Sequence, residues 1–148
     1  MNDTRVPPPR PVPVVNRWAQ PFWDAAREHR LMLQRCRDCA RHVFYPRLAC
    51  PHCQADTLEW VDASGRGTLY SFTVVMANAP SAFAADVPYV VAVVRLEEGV
   101  QMLTNVVDCD PATLCCDQPL EVTFRRRDDT FTLPCFRPAQ AAAAGSRA

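Results

Sequence analysis

Hydrophobic residues change their spacing along the first part of the chain, and the change predicts a helix followed by a strand. From Trp18 to His29 the apolar positions recur every three or four residues, and Pro21 suits the first turn of a helix. From Leu31 the spacing drops to two, as in a short strand. We therefore expect residues 18–33 to form an N-terminal helix and a lead-in strand.

The predicted helix carries a narrow apolar stripe, and two interpretations of its docking surface stay open. Isolated helices of fewer than about 12 residues are marginal in water, so the stripe must pack against something. In one interpretation the helix packs onto its own domain. In the other, Trp18, Phe22 and Trp23 cover a groove that is shared with a ligand or another subunit.

The rest of the chain has the pattern of strands rich in Val, Leu, Phe, Tyr and Thr, separated by Gly, Pro, Asn or Asp. Gly65 and Gly67 interrupt the first long strand in the way that a bulge or barrel corner requires. About five antiparallel strands without open edges favour a small OB-type barrel over residues 57–138, with a sandwich as the alternative. The candidate strands are residues 57–63, 67–76, 89–97, 100–107, 120–127 and 130–136.

Four of the eight cysteines have the spacing of a metal site. Two C-x2-C pairs, separated by ten residues, let four thiolates meet at one tetrahedral ion. Iron also accepts four thiolates, but we expect one structural zinc ion per chain, because four protein ligands leave no position open for water. The spacing predicts a zinc ribbon at residues 34–56 with the ligands Cys36, Cys39, Cys50 and Cys53.

The other four cysteines lack this paired spacing. We expect them to be small apolar side chains, buried or half-buried. A nucleophilic cysteine would need a base and a positive environment, and all three histidines precede Trp60. The four residues are Cys109, Cys115, Cys116 and Cys135.

Arginine supplies all 16 basic charges, since the chain has no lysine. Schiff-base chemistry and a phosphate-loop lysine are therefore excluded. Residues 1–60 hold nine arginines against six acids, a net charge of +3, and residues 61–148 hold seven against ten, a net of −3. The zero total argues against a general nucleic-acid coat, whereas a local anion site in the front half stays open. Near the cysteines, Arg35, Arg37, Arg41 and His52 are placed to offset the charge of a tetrathiolate ion.

Both ends of the chain lack the composition of a folded core. Residues 1–17 form a proline-rich arm and residues 139–148 a tail of small residues, and we expect both to be mobile unless a partner orders them. No stretch of 18 apolar residues predicts a membrane span, and the first 15 residues lack the apolar region of a signal peptide. We therefore expect a cytoplasmic protein.

Seven segments resemble the DUF35 family, and in order they run from residue 21 to residue 138. They are PFWDAAREHRLMLQRC, CRDC, VFYPR, CPHC, LEWVDASGRGTLYSFTVV, PYVVAVVRLEEG and LPCFRP. The resemblance implies a mainly β fold: an N-terminal helix, a rubredoxin-like zinc ribbon and a C-terminal OB-fold barrel.

The same resemblance implies an accessory subunit associated with acyl-CoA, in lipid or steroid metabolism, whose chemistry resides mainly in a partner enzyme. That partner is a thiolase-like enzyme, a steroid side-chain aldolase of thiolase fold, or a MaoC-like enoyl-CoA hydratase. We therefore expect no catalysis by this chain alone. The remaining alternative is a nucleic-acid module that stacks bases on Tyr70 or Phe72, which the negative barrel half disfavours.

We expect the CoA or partner site where helix, ribbon and barrel meet. Phe22 and Trp23 would form an apolar wall, with Tyr45, Pro46 and Arg47 on the return strand opposite. Arginine is the best planar donor for the phosphates of CoA. The competing interpretation of the arginines in this region is a solvated basic face that balances the metal.

Overall fold

The computed structural model describes residues 8–140, so the first part of the expected arm and residues 141–148 of the expected tail lie outside the described residues. One α-helix, α1 (Gln20–Arg27), follows a 3₁₀ turn at Arg17–Ala19. Within the described range, no helix has both the length and the hydropathy that a membrane crossing requires. The strands are β1 (Met32–Cys36), β2 (His42–Val43), β3 (Leu58–Asp62), β4 (Arg66–Val75), β5 (Tyr89–Leu96), β6 (Gln101–Val106), β7 (Pro119–Arg126) and β8 (Thr132–Pro138).

Strands β4 to β8 close into a barrel in the order β4–β5–β6–β8–β7, and β7 pairs back onto β4. All neighbours are antiparallel except β6 and β8, which run parallel and share a single pair, Val106 with Phe136. A five-stranded, partly open Greek-key barrel is the OB-fold. The predicted barrel is therefore confirmed, and the sandwich alternative is wrong.

Gly67 lies where β4 passes closest to β5. Its position is buried, and a Cβ atom built there would stand 2.5 Å from the carbonyl oxygen of Arg95 and 2.9 Å from Val94 Cγ1. Only glycine allows this approach of the two backbones. The shift in β4–β5 register that marks a bulge occurs slightly further on, between Leu69 and Ser71.

Strand β3 pairs along its whole length with β1, from Met32 opposite Asp62 to Cys36 opposite Leu58. We expected residues 57–63 to begin the barrel, but this strand completes a three-stranded sheet in the order β2–β1–β3. The alternation of apolar and polar residues shows that one face of a strand is buried. It does not show with which sheet the strand pairs.

Helix α1 buries Phe22, Ala25 and Ala26, and Phe22 belongs to the same hydrophobic core as the barrel strands. The helix ends at a Schellman motif: His29 has φ of 59°, and the N–H of Arg30 donates to the carbonyl of Ala25 at 2.9 Å. The interpretation in which the helix packs on its own domain therefore holds for Phe22.

Part of the proline-rich arm lies against the barrel. The Arg127 guanidinium donates to the carbonyl oxygens of Arg10 and Pro11 at 2.7 and 2.8 Å. The guanidinium of Arg10 in turn lies 5.4 Å from the ring centroid of Phe83 and pairs with Asp86. We expected the whole arm to be mobile, whereas these contacts place its described part on the barrel surface.

Replacing Gly67 with alanine should destabilise the barrel, because the added methyl group would collide with the Arg95 carbonyl. We expect the free energy of unfolding in urea to fall by about 1–3 kcal/mol, the usual cost of overpacking. Gln101→Ala, at an exposed position on β6, is the control and should change stability by less than about 0.5 kcal/mol. Equal stability of Gly67→Ala and the wild type would contradict the close approach.

Candidate functional site: a four-cysteine centre and an aromatic junction

The two C-x2-C turns have the same backbone geometry. In each, the N–H of the first cysteine donates to the carbonyl five residues later, at 2.9 Å for Cys36 and 2.8 Å for Cys50. The residue four positions after that cysteine, Ala40 or Gln54, has a positive φ of 58° or 65°. This repeated turn presents two sulfurs from each loop to a common point.

The four sulfurs lie at the corners of a compact cluster. The Sγ atoms of Cys36 and Cys53 are 3.6 Å apart, as are those of Cys39 and Cys50, and all four are within 4.8 Å of one another. A tetrahedral ion with metal–sulfur bonds of about 2.3 Å requires sulfurs about 3.8 Å apart. The donor set and its spacing therefore fit a tetrathiolate metal site, and the four predicted ligands are brought together.

Backbone donors favour the thiolate form at Cys36, whereas at Cys53 the Ala55 N–H is outweighed by burial and the neighbouring cysteines, which raise the pKa of the thiol. The N–H of Cys39, and with it that of Asp38, lowers the pKa of the Cys36 thiol to about 6. The N–H of His52 donates to Cys50 Sγ at 3.4 Å. Of the arginines expected to balance the site, Arg37 instead donates to Glu59 at 3.2 Å, so its charge is offset within the sheet.

The ribbon has little hydrophobic core apart from the ligands themselves. Its buried cluster consists of Cys36, Cys50 and Val43, with Cys39, Ala55 and Leu58 packed against it. Six small residues cannot hold 20 residues together by hydrophobic burial alone, so the metal bonds must contribute to folding. All four candidate ligands come from the protein, an arrangement typical of structural zinc sites.

The remaining cysteines divide into two pairs. Cys135 is buried and Cys109 half-buried, as expected, and burial raises the pKa of the Cys135 thiol to about 11. Cys115 and Cys116 are exposed, so the expectation that they are buried or half-buried is wrong. They occupy a turn after Leu114, where the chain has already left the core.

An aromatic cluster fills the junction of helix, ribbon and barrel. The rings of Phe22 and Tyr45 are 5.9 Å apart, and Trp23 donates from Nε1 to the Tyr45 hydroxyl at 2.9 Å. Phe44 packs against both Phe22 and Tyr45, and Trp23 meets Phe131 of the barrel edge to edge at 5.4 Å. The predicted contact between the helix aromatics and the return segment therefore exists at Tyr45.

Gln34 holds the return segment in place, a role that sequence reasoning missed. Its side-chain amide donates to the carbonyl of Arg47 at 2.9 Å and accepts the Arg47 N–H at 2.7 Å. Gln34 is 5% exposed although a polar residue that alternates with Leu31 and Leu33 is expected on the solvent face of a strand. The position of Gln34 between the apolar Leu33 and the ligand Cys36 could have indicated a buried amide. Its partner, Arg47, lies 13 residues away and could not be identified from the local sequence.

Two grooves include Tyr45 in their lining. The first, which we name the Arg47 groove, has a volume of about 390 Å³ and is lined by Asn16, Trp18, Tyr45, Pro46, Arg47 and Leu48. The second, the Leu133 groove, has a volume of about 380 Å³, and its lining includes Phe22, Trp23, Tyr45, Leu103, Asn105 and Leu133. The five predicted residues are thus split between two grooves that share Tyr45, rather than facing each other across one pocket.

The Leu133 groove exists because β6 and β8 separate beyond their single backbone pair. At the opening, the hydroxyl of Thr104 donates to the carbonyl of Pro134 at 2.9 Å in place of a strand-to-strand bond. A third cavity of about 400 Å³ shares Asn105, Leu133 and Cys135 with this groove. The open seam of the barrel therefore carries a largely apolar trench.

Removing one ligand should release the metal and unfold the ribbon. We expect about one zinc ion per wild-type chain by metal analysis and close to none for Cys39→Ser, because three thiolates cannot close the tetrahedral site. Cys115→Ser removes an exposed thiol outside the cluster and should keep the full metal content. Wild-type protein purified without chelator but free of metal would contradict the site.

Replacing Gln34 with leucine should loosen the return segment without releasing the metal. The substitution removes two part-buried hydrogen bonds to the backbone of Arg47, each worth about 0.5–1.5 kcal/mol. We expect faster amide hydrogen exchange at residues 45–48 and unchanged metal content. Gln101→Ala is the control; exchange at residues 45–48 equal to wild type in Gln34→Leu would show that the amide is not the clamp.

Models of both domains of one protein match this chain in succession. The rubredoxin-like zinc ribbon domain of ChsH2 matches residues 23–59, and the C-terminal OB-fold domain of ChsH2 matches residues 60–125. The division between them falls inside β3, the strand that connects the ribbon sheet to the barrel.

Two relatives illustrate the range of proteins that contain this unit. A probable enoyl-CoA hydratase alpha subunit from Thermomonospora curvata is 38% identical over 130 residues, which cover 88% of this chain and 40% of that protein. A DUF35 domain-containing scaffold protein from Methanocaldococcus jannaschii is 38% identical over 93 residues, which cover 62% of this chain and 65% of that protein. The chain therefore spans less than two thirds of either relative.

A solved structure described as an Ltp2-ChsH2(DUF35) aldolase contains a chain with the same fold. It aligns with a TM-score of 0.78 and 36% sequence identity, and the alignment covers 86% of this chain and 98% of that chain. Together with the two consecutive domain matches, this likeness shows that the chain belongs to the DUF35 family, with a rubredoxin-like zinc ribbon followed by an OB-fold.

Proposed function

We propose that this chain is an accessory subunit of an acyl-CoA-processing enzyme, that its ribbon holds zinc, and that its partner is a thiolase-fold subunit such as a thiolase or steroid side-chain aldolase. The observation that carries the proposal is the likeness to the aldolase-associated chain, which is matched over 98% of its length. The alignment leaves almost none of that chain without a counterpart here. The name of the archaeal relative, a scaffold protein, describes the same kind of role.

The surface of the junction supports a role in binding another protein. Large apolar side chains are exposed there, and the exposed fraction is 67% for Leu48 and 70% for Leu103. Trp18 and Tyr45 are also exposed: both line the Arg47 groove with Leu48, and Tyr45 lines the Leu133 groove with Leu103. Contiguous exposed apolar surface of this kind marks interaction sites in soluble proteins.

The Leu133 groove and the adjoining cavity support a role in holding the acyl part of a CoA thioester. Both are lined mainly by apolar side chains, with Asn105 among the few polar groups at their meeting point. Such a trench suits a ligand with a long apolar body and few hydrogen-bonding groups. Phe22, Trp23 and Tyr45 line the Leu133 groove, and we propose that they contact the acyl chain there.

The chemistry of the trench supports binding rather than catalysis. Cys135 lines it, but a thiol whose burial raises its pKa to about 11 is protonated at neutral pH and is a poor nucleophile. His29 stacks on Phe124 at 5.3 Å, outside the trench lining, and the other two histidines lie in the ribbon. We therefore assign the reaction to the partner enzyme.

A MaoC-like enoyl-CoA hydratase is the second candidate partner. It is favoured by the Thermomonospora curvata relative, whose name describes an alpha subunit of an enoyl-CoA hydratase and whose match covers 88% of this chain. A nucleic-acid role gains no support, because the arginine cluster of the barrel is used internally. Arg125, Arg126 and Arg127 pair with Asp108, Asp129 and Asp128 respectively.

Co-purification tests the partner. The tagged chain would be expressed with a thiolase-fold subunit from its native host and, separately, with a MaoC-type hydratase subunit, and the products analysed by size-exclusion chromatography with light scattering. We expect a stable complex with the thiolase-fold subunit. Formation of a complex with the hydratase alone would select the second candidate, and recovery of RNA with neither enzyme would contradict the proposal.

Calorimetry tests the acyl site. We expect octanoyl-CoA to bind the complex at least about tenfold more tightly than acetyl-CoA, because buried methylene groups each contribute up to about 0.8 kcal/mol. Leu133→Asp should remove this preference for the longer chain, whereas Tyr70→Ala, at a position that contacts Arg95 on the barrel surface, should keep it. Equal affinity for the two thioesters would place the acyl chain elsewhere.

A further inference from the structure

The arginines of this protein differ in how they are neutralised. Those on the barrel strands and their loops have carboxylates of the same chain as neighbours, apart from Arg95, whose guanidinium lies 4.6 Å from the ring centroid of Tyr70. The barrel pairs are Arg66–Glu97, Arg125–Asp108, Arg126–Asp129, Arg127–Asp128 and Arg137–Glu121. The positive charge of the barrel is thus compensated within the chain.

The front half is not compensated in this way. Arg30 and Arg37 pair with Asp62 and Glu59. Among residues 8–140, five other arginines of this half have no carboxylate within 4.0 Å: Arg17, Arg27, Arg35, Arg41 and Arg47. Arg35 and Arg41 lie within a few residues of the four cysteines, whose thiolates supply negative charge. Arg17, Arg27 and Arg47 are therefore the unpaired arginines that favour a negatively charged partner.

Arg47 differs from the other four because it lines a groove with exposed aromatic and aliphatic side chains. Trp18, Tyr45 and Leu48 are 39%, 38% and 67% exposed, and all three line the Arg47 groove. Tryptophan, tyrosine and arginine are the residues enriched at the energetic centres of protein interfaces. The composition of the groove is therefore that of an interface centre.

The backbone of Arg47 is already fixed in the isolated chain. Gln34 bonds both its N–H and its carbonyl, Pro46 beside it is buried, and Trp23 fixes Tyr45 through its hydroxyl. A groove that is ordered before binding loses less conformational entropy when a partner arrives. The rigidity of this segment therefore favours tight docking of a second protein.

We propose that the Arg47 groove is the docking site for the partner enzyme, and that the partner inserts a segment with an apolar side chain next to a carboxylate. This inference rests on the proposed function, since it identifies the surface by which the accessory subunit binds its enzyme. The apolar side chain packs between Trp18 and Leu48, and the carboxylate pairs with Arg47. The Leu133 groove, which shares Tyr45, stays available for the thioester.

The nucleotide end of CoA is the competing occupant, and the groove suits it less well. That end carries a diphosphate and a ribose phosphate, which call for several cationic or hydrogen-bonding donors. Among the described residues that line the groove, Arg47 is the only cation and Asn16 the only side-chain amide. Leu48, the most exposed of the lining side chains named above, is a contact for an apolar group rather than for a phosphate.

Charge reversal tests the docking site in the complex that co-purification yields. Arg47→Glu and Leu48→Asp should each weaken the affinity for the enzyme subunit by at least about 30-fold, the effect of losing an interface centre. Arg27→Glu makes the same charge change on the outer face of α1, away from the groove lining, and should alter affinity by less than about threefold. Metal content and circular dichroism of each variant check that it is folded.

The outcomes separate the inference from the proposed function. If the wild-type chain binds neither enzyme subunit, both are overturned. If Arg47→Glu and Leu48→Asp bind the enzyme as the wild type does, the docking site is wrong and the accessory role stands. If these variants lose affinity for free CoA while keeping affinity for the enzyme, the groove is a nucleotide site and the inference is overturned.

Discussion

Four cysteine sulfurs within 4.8 Å of one another impose the main constraint on the front half of this protein. The ribbon around them has almost no other core, so the bonds from these sulfurs to a metal must hold its loops together. The first of the ligands, Cys36, is the last residue of β1, the central strand of the ribbon sheet. Whatever fixes Cys36 therefore also fixes the residues that precede it in that strand.

Those preceding residues connect the metal site to the rest of the molecule. Leu31 and Leu33 lie in the same hydrophobic core as the barrel, together with Phe22 from the helix. Gln34, next in the strand, clamps the backbone of Arg47 in the return segment. One short strand thus connects the cysteine cluster, the barrel core and the exposed junction.

The features that depend on neighbours in sequence were predictable, and those that depend on distant neighbours were not. The C-x2-C spacing gave the metal ligands, and the strand pattern gave a closed barrel. Three features could not be predicted, because they depend on contacts or turns that the local sequence pattern does not contain. They are the place of β3 in the ribbon sheet, the burial of Gln34 against Arg47 and the exposure of Cys115. The sequence gives the net charge of residues 1–60, but only the structure shows which of their arginines pair with a carboxylate.

Tyr45 gives the two grooves a physical connection. Its ring lines both, and its position depends on the hydrogen bond from Trp23, which lines the Leu133 groove. A protein that packs against this ring in one groove restricts its motion and so fixes part of the lining of the other groove. Such coupling is reciprocal. If the occupants of the two grooves favour the same position of the Tyr45 ring, each raises the affinity for the other by the same factor. If the proposed partner and the proposed acyl chain occupy these two grooves, their binding is linked through the side chain of Tyr45.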